Sequence, residues 1–596
     1  GVLGGFSLAT IALPKRGVKG IGLVALAVGI LFAAARSIAA ADVVGTITRV
    51  AGWQMALDRL WTGVGLGGVS LLYPQYRPFW GGRLGEWTGH IRSTPLQVLA
   101  EWGIGGAILA VAAIALFAYQ GILWQARFRP WEMVSWARHR SSDTDRAVFV
   151  DSLFPLCLYG GCLAYAIVGW LDYSLDRPAI AGTLVLYFAV LLSRWRVPPL
   201  APMPLLIPLA GLGFLGAAIV WLTPVRYAGL LSARGVAALR SQPPDVASCV
   251  RDLTRSSQLA PWKPESALQL GWVSGSLRWQ EEKIPKETID WWQRGIAAAP
   301  DWVFGYARLG WLLLKNDPPL AAKAFGRAIE LVPAQRGVFY GLGRALLSDG
   351  QTERAIEAFA LEILRDPAFV TRPLWAQPDL EPLFKQVGER LEEKYAILLK
   401  DDSLSPELKQ DLHQNRGGLR WWLENYKQAR EDWQEYGSET SKLVLQLASL
   451  ESSESVETKL RLLPPSAAKW AIEAWLHPEH RLKRLQDAWA LATPKTVSPE
   501  IVGQSLSTMN AAPNFDDWLK RGSPTQMTPL FDADGMSGNG AFEGGKLEDF
   551  PQLSENTVLT HFFADRLWRS PDYFPEFDKA LQLWRTALLK AALQRE

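Results

Sequence analysis

One stretch of the chain, residues 42–95, gathers side chains that could bind and transfer a charged group. Several arginines and one histidine occur there, namely Arg49, Arg59, Arg77, Arg83, Arg92 and His90. The planar guanidinium of arginine binds phosphate oxygens through paired hydrogen bonds, and an imidazole can act as a general base near neutral pH. These residues are therefore candidates for an anion site with a base beside it. Two other interpretations stay open: a long loop whose arginines bind nothing, and a histidine held by neighbouring carbonyl groups.

The segments that must position this stretch are long and apolar. Apolar residues crowd the first 225 positions, although the mean hydropathy of the whole chain is only +0.03. A helix needs about 20 mostly apolar residues to cross the hydrocarbon layer of a membrane. Five segments reach or approach that length: 20–41, 96–123, 148–171, 178–192 and 204–222. Residues 1–13 are also apolar, and we expect them to be the end of a further span whose beginning is missing.

Basic residues in the connecting segments predict the orientation of these spans. Lysines and arginines occur at 15–19, 127–146 and 194–196, and positively charged loops stay on the cytoplasmic side. Residues 42–95, the short turn 172–177 and everything after about position 223 are then outside. The sequence predicts a multi-pass protein of a bacterial inner membrane, in contact with membrane lipids, whose C-terminal domain is extracytoplasmic.

Charge and composition exclude several classes of function. The formal net charge is only +3 and the arginines form no basic tract, so nucleic acid is not an expected partner. The three cysteines, Cys157, Cys162 and Cys249, have neither the spacing of a metal site nor that of a disulfide framework. Residues 42–95 contain no Asp-x-Asp pair. We therefore expect no metal and no cofactor, and arginine would supply the electrostatic stabilisation.

A series of short motifs lies along residues 49–106. Arg49 precedes Trp53, a Gly-x-Gly-x-Gly run follows at 63–67, and Tyr73-Pro74 and His90 come next. The series ends in Glu-x-Gly-x-x-Gly at 101–106. This order resembles the O-antigen ligase / O-antigen polymerase superfamily of membrane glycosyltransferases, and the turn at 171–176 looks like a later external turn of that family. The likeness covers about residues 1–225, and the joint spacing is more specific than any single motif.

The resemblance implies a reaction and the residues that perform it. Such enzymes move a glycan from a polyprenyl-diphosphate carrier to an acceptor, here the lipid A core or a growing polysaccharide. Arg49 and His90 would be catalytic, and the diphosphate would be bound by Arg49, Arg77, Arg83 and Arg92. The family often has His-x-His-Asn at the position of residues 90–93, and Arg92 replaces the second histidine, the one most often linked to activity. Arg92 can bind phosphate but cannot act as a base, because its pKa stays above about 12.

Two alternatives accompany this interpretation. The first is a protein O-oligosaccharyltransferase, which performs the same chemistry on a protein acceptor. The second is a non-catalytic membrane scaffold or transporter that carries a repeat interaction domain. A transporter should have paired ionisable residues near the middle of the membrane, whereas Arg36, Glu101 and Asp151 lie near span ends. The sequence therefore favours an enzyme over a transporter.

Amphipathic helices replace the apolar segments after about position 260. Three residues, Ala321, Phe325 and Pro333, recur 34 positions later as Ala355, Phe359 and Pro367. This period is typical of tetratricopeptide repeats, which are helix–turn–helix units that stack through small and aromatic side chains. A looser copy ends at Pro300, with Trp292 in the place of Phe325. Such a domain would recruit the acceptor or a protein partner.

The predicted architecture is all-α: a polytopic transmembrane helix bundle followed by a soluble tetratricopeptide-like α-solenoid. The bundle covers residues 1–225 and includes the external loop 42–95. A linker with helical character follows at 226–259, and the repeats cover 260–370. A further helical, repeat-like region covers 371–596 and contains a loop at 522–550. Its last helix, at about 571–594, is expected to cap the end of the solenoid.

Overall fold

The chain divides into two compact units, Gly1–Thr223 and Pro224–Glu596. The computed structural model describes residues 43–76, 90–127, 158, 161–162, 165–166, 168–170, 172–175, 178–193, 206–239, 241, 243–277, 285–449, 453–493, 497–529, 552–571 and 574–593. Both units are mostly helical over these residues, as the sequence predicts.

The first unit is built of helices around a small apolar core. Its described helices are α1 (Val43–Asp58), α2 (Gly68–Tyr76), α3 (Thr94–Arg127), α4 (Pro178–Ser193) and the first part of α5 (Leu206–Leu239). Buried residues of α1 recur every four positions, at Ile47, Ala51 and Met55, and this spacing places them on one face of the helix. They form the core together with Tyr73 of α2 and Ile91.

The stretch 42–95, which the sequence predicts to be an external loop between spans, contains helices of its own. Helices α1 and α2 occupy most of the described part of this stretch. Residues 42–95 are too polar to span a membrane. Three buried side chains on one face of α1 nevertheless pack this helix against the neighbouring elements. The candidate arginines therefore include at least one, Arg49, that lies on a helix with a fixed rotation.

One described helix is long and apolar enough to cross a membrane. It covers Thr94–Ala112, and a shorter apolar helix covers Ala179–Val190. The predicted span at 20–41 and most of the one at 148–171 lie outside the described residues. The described residues therefore support a helical protein with a single candidate span, while the bundle of several spans stays a prediction. The span predicted at 204–222 is part of the longer α5, which contains Pro224.

The second unit is a succession of helices that pack mainly on their neighbours in the sequence. They are α6 (Val246–Leu259), α7 (Pro264–Leu277), α8 (Lys286–Ala298), α9 (Val303–Leu313), α10 (Pro318–Leu331), α11 (Val338–Ser348), α12 (Thr352–Arg365), α13 (Glu381–Lys400), α14 (Pro406–Trp422), α15 (Tyr426–Tyr436), α16 (Glu439–Ala448), α17 (Ser453–Leu462), α18 (Ala467–Leu476), α19 (Arg481–Ala492), α20 (Pro499–Ala511), α21 (Phe515–Lys520), α22 (Ala564–Leu567) and α23 (Pro575–Leu593). Two strands, β1 (Thr525–Pro529) and β2 (Gln552–Asn556), pair antiparallel. Short 3-10 helices cover Pro367–Thr371, Pro373–Ala376 and Pro478–His480, and a π-helix covers Leu559–Phe563.

Five pairs of consecutive helices in this unit form closely packed hairpins: α7–α8, α9–α10, α11–α12, α14–α15 and α18–α19. The second helix of each pair carries a buried aromatic side chain, in chain order Trp292, Phe325, Phe359, Trp433 and Trp489. In the first four pairs a glycine of the first helix lies directly against that ring, namely Gly271, Gly310, Gly343 and Gly417. The predicted helical pairs over 301–367, with Phe325 and Phe359 buried, are confirmed. Their membership of the tetratricopeptide family stays a prediction.

The C-terminal part departs from the predicted arrangement at two points. Strand β1 lies within the stretch 522–550, which the sequence predicts to be a loop. The strand was missed because local composition does not reveal its partner, strand β2, which comes later in the chain. The last helix, α23, lies against the side of the repeats instead of capping their end. Its Leu593 packs on Gly326 of α10, and its Asp578 pairs with the buried Arg365 of α12. The expectation of a terminal cap is therefore wrong.

Candidate functional site

Arg49 lies on α1 at the edge of the apolar core, and its side chain is half-buried. Its Nη2 donates to the Thr46 hydroxyl with an N···O distance of 3.2 Å, and its Nη1 donates to the backbone carbonyl of Arg92 at 3.5 Å. A guanidinium has five N–H donors in a fixed planar geometry. Arg49 can therefore hold the segment 90–93 and contact an anion at the same time. The buried face of α1 thus directs Arg49 toward residues 90–93.

The segment 90–93 is fastened to the same helix by a buried hydroxyl. Thr48 Oγ1 accepts a hydrogen bond from the backbone amide of Arg92 at 3.3 Å. The neighbouring side chain of Ile91 is completely buried in the apolar core. These contacts hold Arg92 beside Arg49 with the Arg92 side chain exposed. Two of the four predicted diphosphate ligands are therefore neighbours, although they are far apart in the sequence.

His90 contacts the turn at 172–175. The centroid of its ring lies 5.5 Å from that of Tyr173, and the two planes are tilted by 49°. Beside them, the Thr94 hydroxyl at the start of α3 donates to the backbone carbonyl of Asp172 at 3.0 Å. The candidate base and this later turn are therefore packed together, and both belong to motifs on which the resemblance depends.

The glycine motifs at 63–67 and 101–106 cross each other at close range. Gly63 and Gly103 have φ values of +67° and +66°, which side chains rarely tolerate, and a Cβ on either would collide with the backbone of the other segment. Backbone hydrogen bonds join the two segments, from the Val64 amide to Ala100 at 2.8 Å and from the Ile104 amide to Leu60 at 2.7 Å. The segment 63–67, here called the glycine turn, links α1 to α2, and the close approach of the two backbones explains the glycines at positions 63 and 103.

Three residues that position the site were not singled out from the sequence: Thr48, Gln97 and Tyr173. The side-chain oxygen of Gln97 accepts a hydrogen bond from the Ile91 amide at 2.7 Å, so it holds the segment 90–93 from the side opposite α1. Gln97 is a polar residue at the start of a predicted span, which is a signal in the sequence. The roles of Thr48 and Tyr173 depend on tertiary contacts and leave no such signal.

Arg77 and Arg83, the other predicted diphosphate ligands, lie outside the described residues. In the part of the chain that the structure describes, no group of three or more His, Cys, Asp or Glu side chains could hold a metal ion. The described arrangement places the guanidinium of Arg49 against the main chain of Arg92, two residues after His90. Such a set can bind an anionic group and offer a base to a hydroxyl beside it.

Comparisons with known proteins add no assignment. No family model matches the chain, and no curated protein matches it. The likeness to the O-antigen ligase / O-antigen polymerase superfamily therefore depends on the motifs and their spacing alone.

Proposed function

We propose that the chain is a membrane glycosyltransferase that moves a glycan from a polyprenyl-diphosphate carrier to an acceptor at the outer face of a bacterial inner membrane. The observation that supports it is the packing of the motifs that suggested the family. Arg49, the glycine turn at 63–67, the segment 90–93 and the turn at 172–175 contact one another or share contacts with α3. Motifs that serve one site must come together, and these do.

The proposed reaction is a single displacement at the anomeric carbon of the donor glycan. Arg49 and Arg92 bind the diphosphate together with Arg77 and Arg83, and they stabilise the negative charge that develops on it as the sugar–phosphate bond breaks. An acceptor hydroxyl attacks the same carbon, and its proton passes to the imidazole of His90. Polyprenyl diphosphate leaves, and the glycan is joined to the acceptor through the former hydroxyl oxygen.

The surface of the first unit supports a membrane location for this site. Ile108, Leu109 and Val111 on α3 are large apolar side chains that remain exposed, and they lie in the candidate span. Trp61 and Trp102 near the glycine crossing are exposed as well. Tryptophan is enriched where a membrane meets water, which is where the diphosphate of a lipid carrier lies. In this proposal the extracytoplasmic helical hairpins recruit the acceptor or a protein partner.

Replacement of Arg49 by lysine tests the proposal. Arg49→Lys keeps the positive charge but loses the paired hydrogen bonds, so glycan transfer in membranes that carry the full-length protein should fall about ten- to a hundredfold. Arg59→Lys is the matched control, because Arg59 is exposed directly after the same helix and is not one of the four proposed diphosphate ligands, and transfer should stay near the wild-type rate. If Arg49→Lys and Arg92→Ala both leave transfer intact, the arginines are ordinary interfacial residues and the proposed diphosphate site is wrong.

A further inference from the structure

Two buried polar side chains on α3 connect the glycine turn to the segment that carries His90. Glu101 Oε1 accepts a hydrogen bond from the backbone amide of Gly67 at 3.0 Å and another from Gln97 Nε2 at 2.7 Å. Gln97 Oε1 in turn accepts from the backbone amide of Ile91 at 2.7 Å. The result is a continuous path of three hydrogen bonds between two loops, with each donor and acceptor defined.

These two side chains are placed where a polar group is costly. Gln97 and Glu101 are 2% and 6% exposed, and they lie at the start of the described helix that is long and apolar enough to cross a membrane. Burial of a carboxylate is unfavourable unless hydrogen bonds compensate for the lost water. Their spacing of four residues brings them together on one face of α3. An apolar pair there would remove the acceptors that these two side chains offer to the amides of Ile91 and Gly67.

We propose that Gln97 and Glu101 are positioning residues for the transfer reaction. They act through the backbone of Ile91, which lies between His90 and Arg92, and they fix this segment relative to the crossing of the glycine motifs. The base and the phosphate ligand then keep a constant distance from Arg49 on α1. This inference depends on the proposed function, because the reaction gives the positioning its purpose.

The direction of the hydrogen bonds provides a sharp test. Gln97→Glu places two carboxylates face to face and removes the donor between them. Glu101→Gln keeps an oxygen that can accept from both Gly67 and Gln97. The double variant Gln97→Glu with Glu101→Gln reverses the central bond, because position 101 now donates and position 97 accepts, and all three hydrogen bonds can form again.

Each variant is measured in two ways, as the full-length protein in membranes or detergent. The first measurement is hydrogen exchange at the amides of Ile91 and Gly67, and the second is glycan transfer. We expect Gln97→Glu to increase exchange at Ile91 and to reduce transfer by about tenfold or more, the effect of losing one such bond. Glu101→Gln and the double variant should both stay close to wild type. If Gln97→Glu does not accumulate, Gln97→Leu removes both hydrogen bonds of Gln97 without adding a charge and should give a loss of transfer at least as large.

The inference is overturned if the double variant is as impaired as Gln97→Glu in both measurements. It is also overturned if Gln97→Glu increases exchange at Ile91 while transfer is unchanged. Both results differ from a failure of the proposed function, in which the wild-type protein itself transfers no glycan.

Discussion

Arg49 and Arg92 are held by one backbone framework, in which Thr48 and Arg49 of α1 both contact the main chain of Arg92. A loop arginine without such contacts would sample many positions. A diphosphate site needs two guanidinium groups close together, so this freedom would weaken binding. Ile91 is buried between them and cannot move without opening the core. At the scale of single residues, the site therefore depends as much on Thr48, Ile91 and Gln97 as on the charged groups.

Glu362 lies near the end of α12, and its buried carboxyl group contacts the first turn of the neighbouring helix α11. Its two oxygens accept hydrogen bonds from the amides of Gly337 at 2.7 Å and Tyr340 at 3.0 Å, at the N-terminus of α11. Loss of hydration on burial raises the pKa of Glu362 to about 7, although these two hydrogen bonds act in the opposite direction. The folded protein therefore keeps a proton on Glu362 over a range in which the unfolded chain has lost it.

This pKa predicts the sign of a pH effect. The free energy of unfolding should decrease as the pH rises from about 4.5 to about 7, by a contribution on the order of 3 kcal/mol from Glu362. Glu362→Gln cannot titrate, so its stability relative to wild type should be lowest near pH 5 and should improve toward pH 8. Denaturant unfolding followed by tryptophan fluorescence measures both. Glu353→Gln, at an exposed position of the same helix α12, is the control, and a constant difference between wild type and Glu362→Gln at all pH values would contradict the assignment.

The helical hairpins are the elements of the second unit, and an aromatic ring against a glycine is their shared contact. Phe359 of α12 lies against Gly343 of α11, and Phe325 of α10 lies against both Gly310 and Gly341. Because these glycines have no side chain, the aromatic ring of one helix can lie directly against the backbone of the other helix. Contacts between aromatic rings then continue from one hairpin to the next, as the Trp311–Tyr340 ring distance of 5.8 Å between α9 and α11 illustrates.

A single added methyl group should therefore destabilise a hairpin. In Gly343→Ala the new Cβ would lie far inside the contact distance of the Phe359 ring, and we expect a loss of about 1–3 kcal/mol in the free energy of unfolding. Gly503→Ala on α20 is the matched control, because nothing lies within 4 Å of the added atom. That change should stabilise the protein by about 0.5–1 kcal/mol, as expected for Gly→Ala in a helix. Equal effects of the two substitutions in urea unfolding would show that the ring contact does not limit the packing.

Sequence patterns predicted the elements with a regular residue period better than the elements that depend on distant contacts. The hairpins at 301–367 were visible because alanine, phenylalanine and proline recur at a constant period. The hairpins that contain Trp433 and Trp489 lack that recurrence, although their buried aromatic side chains have equivalent positions. Helix α23 was predicted, but neither its packing partners nor strand β1 could be, because the residues that they contact lie far away in the sequence. In the same way, motifs indicated Arg49 and His90, while the role of Thr48 became evident only from tertiary contacts.

At the scale of the whole molecule, the two units have surfaces of different kinds. The first exposes large apolar side chains such as Leu109, Val111 and Val185, which is unusual for a protein surrounded by water. The second buries the aromatic side chains of its hairpins and forms ion pairs such as that between Arg390 and Glu357. This division agrees with the proposal of a membrane enzyme with an attached recruiting domain.

The measurement that tests this account most directly is glycan transfer by the purified full-length protein in liposomes. The liposomes contain a polyprenyl-diphosphate-linked glycan and, in separate reactions, a lipid A core, a polysaccharide or a peptide acceptor. We predict that one acceptor becomes glycosylated while an equal amount of polyprenyl diphosphate is released, and that Arg49→Lys slows both events together. Folded wild-type protein that releases no polyprenyl diphosphate with any of these acceptors would contradict the account.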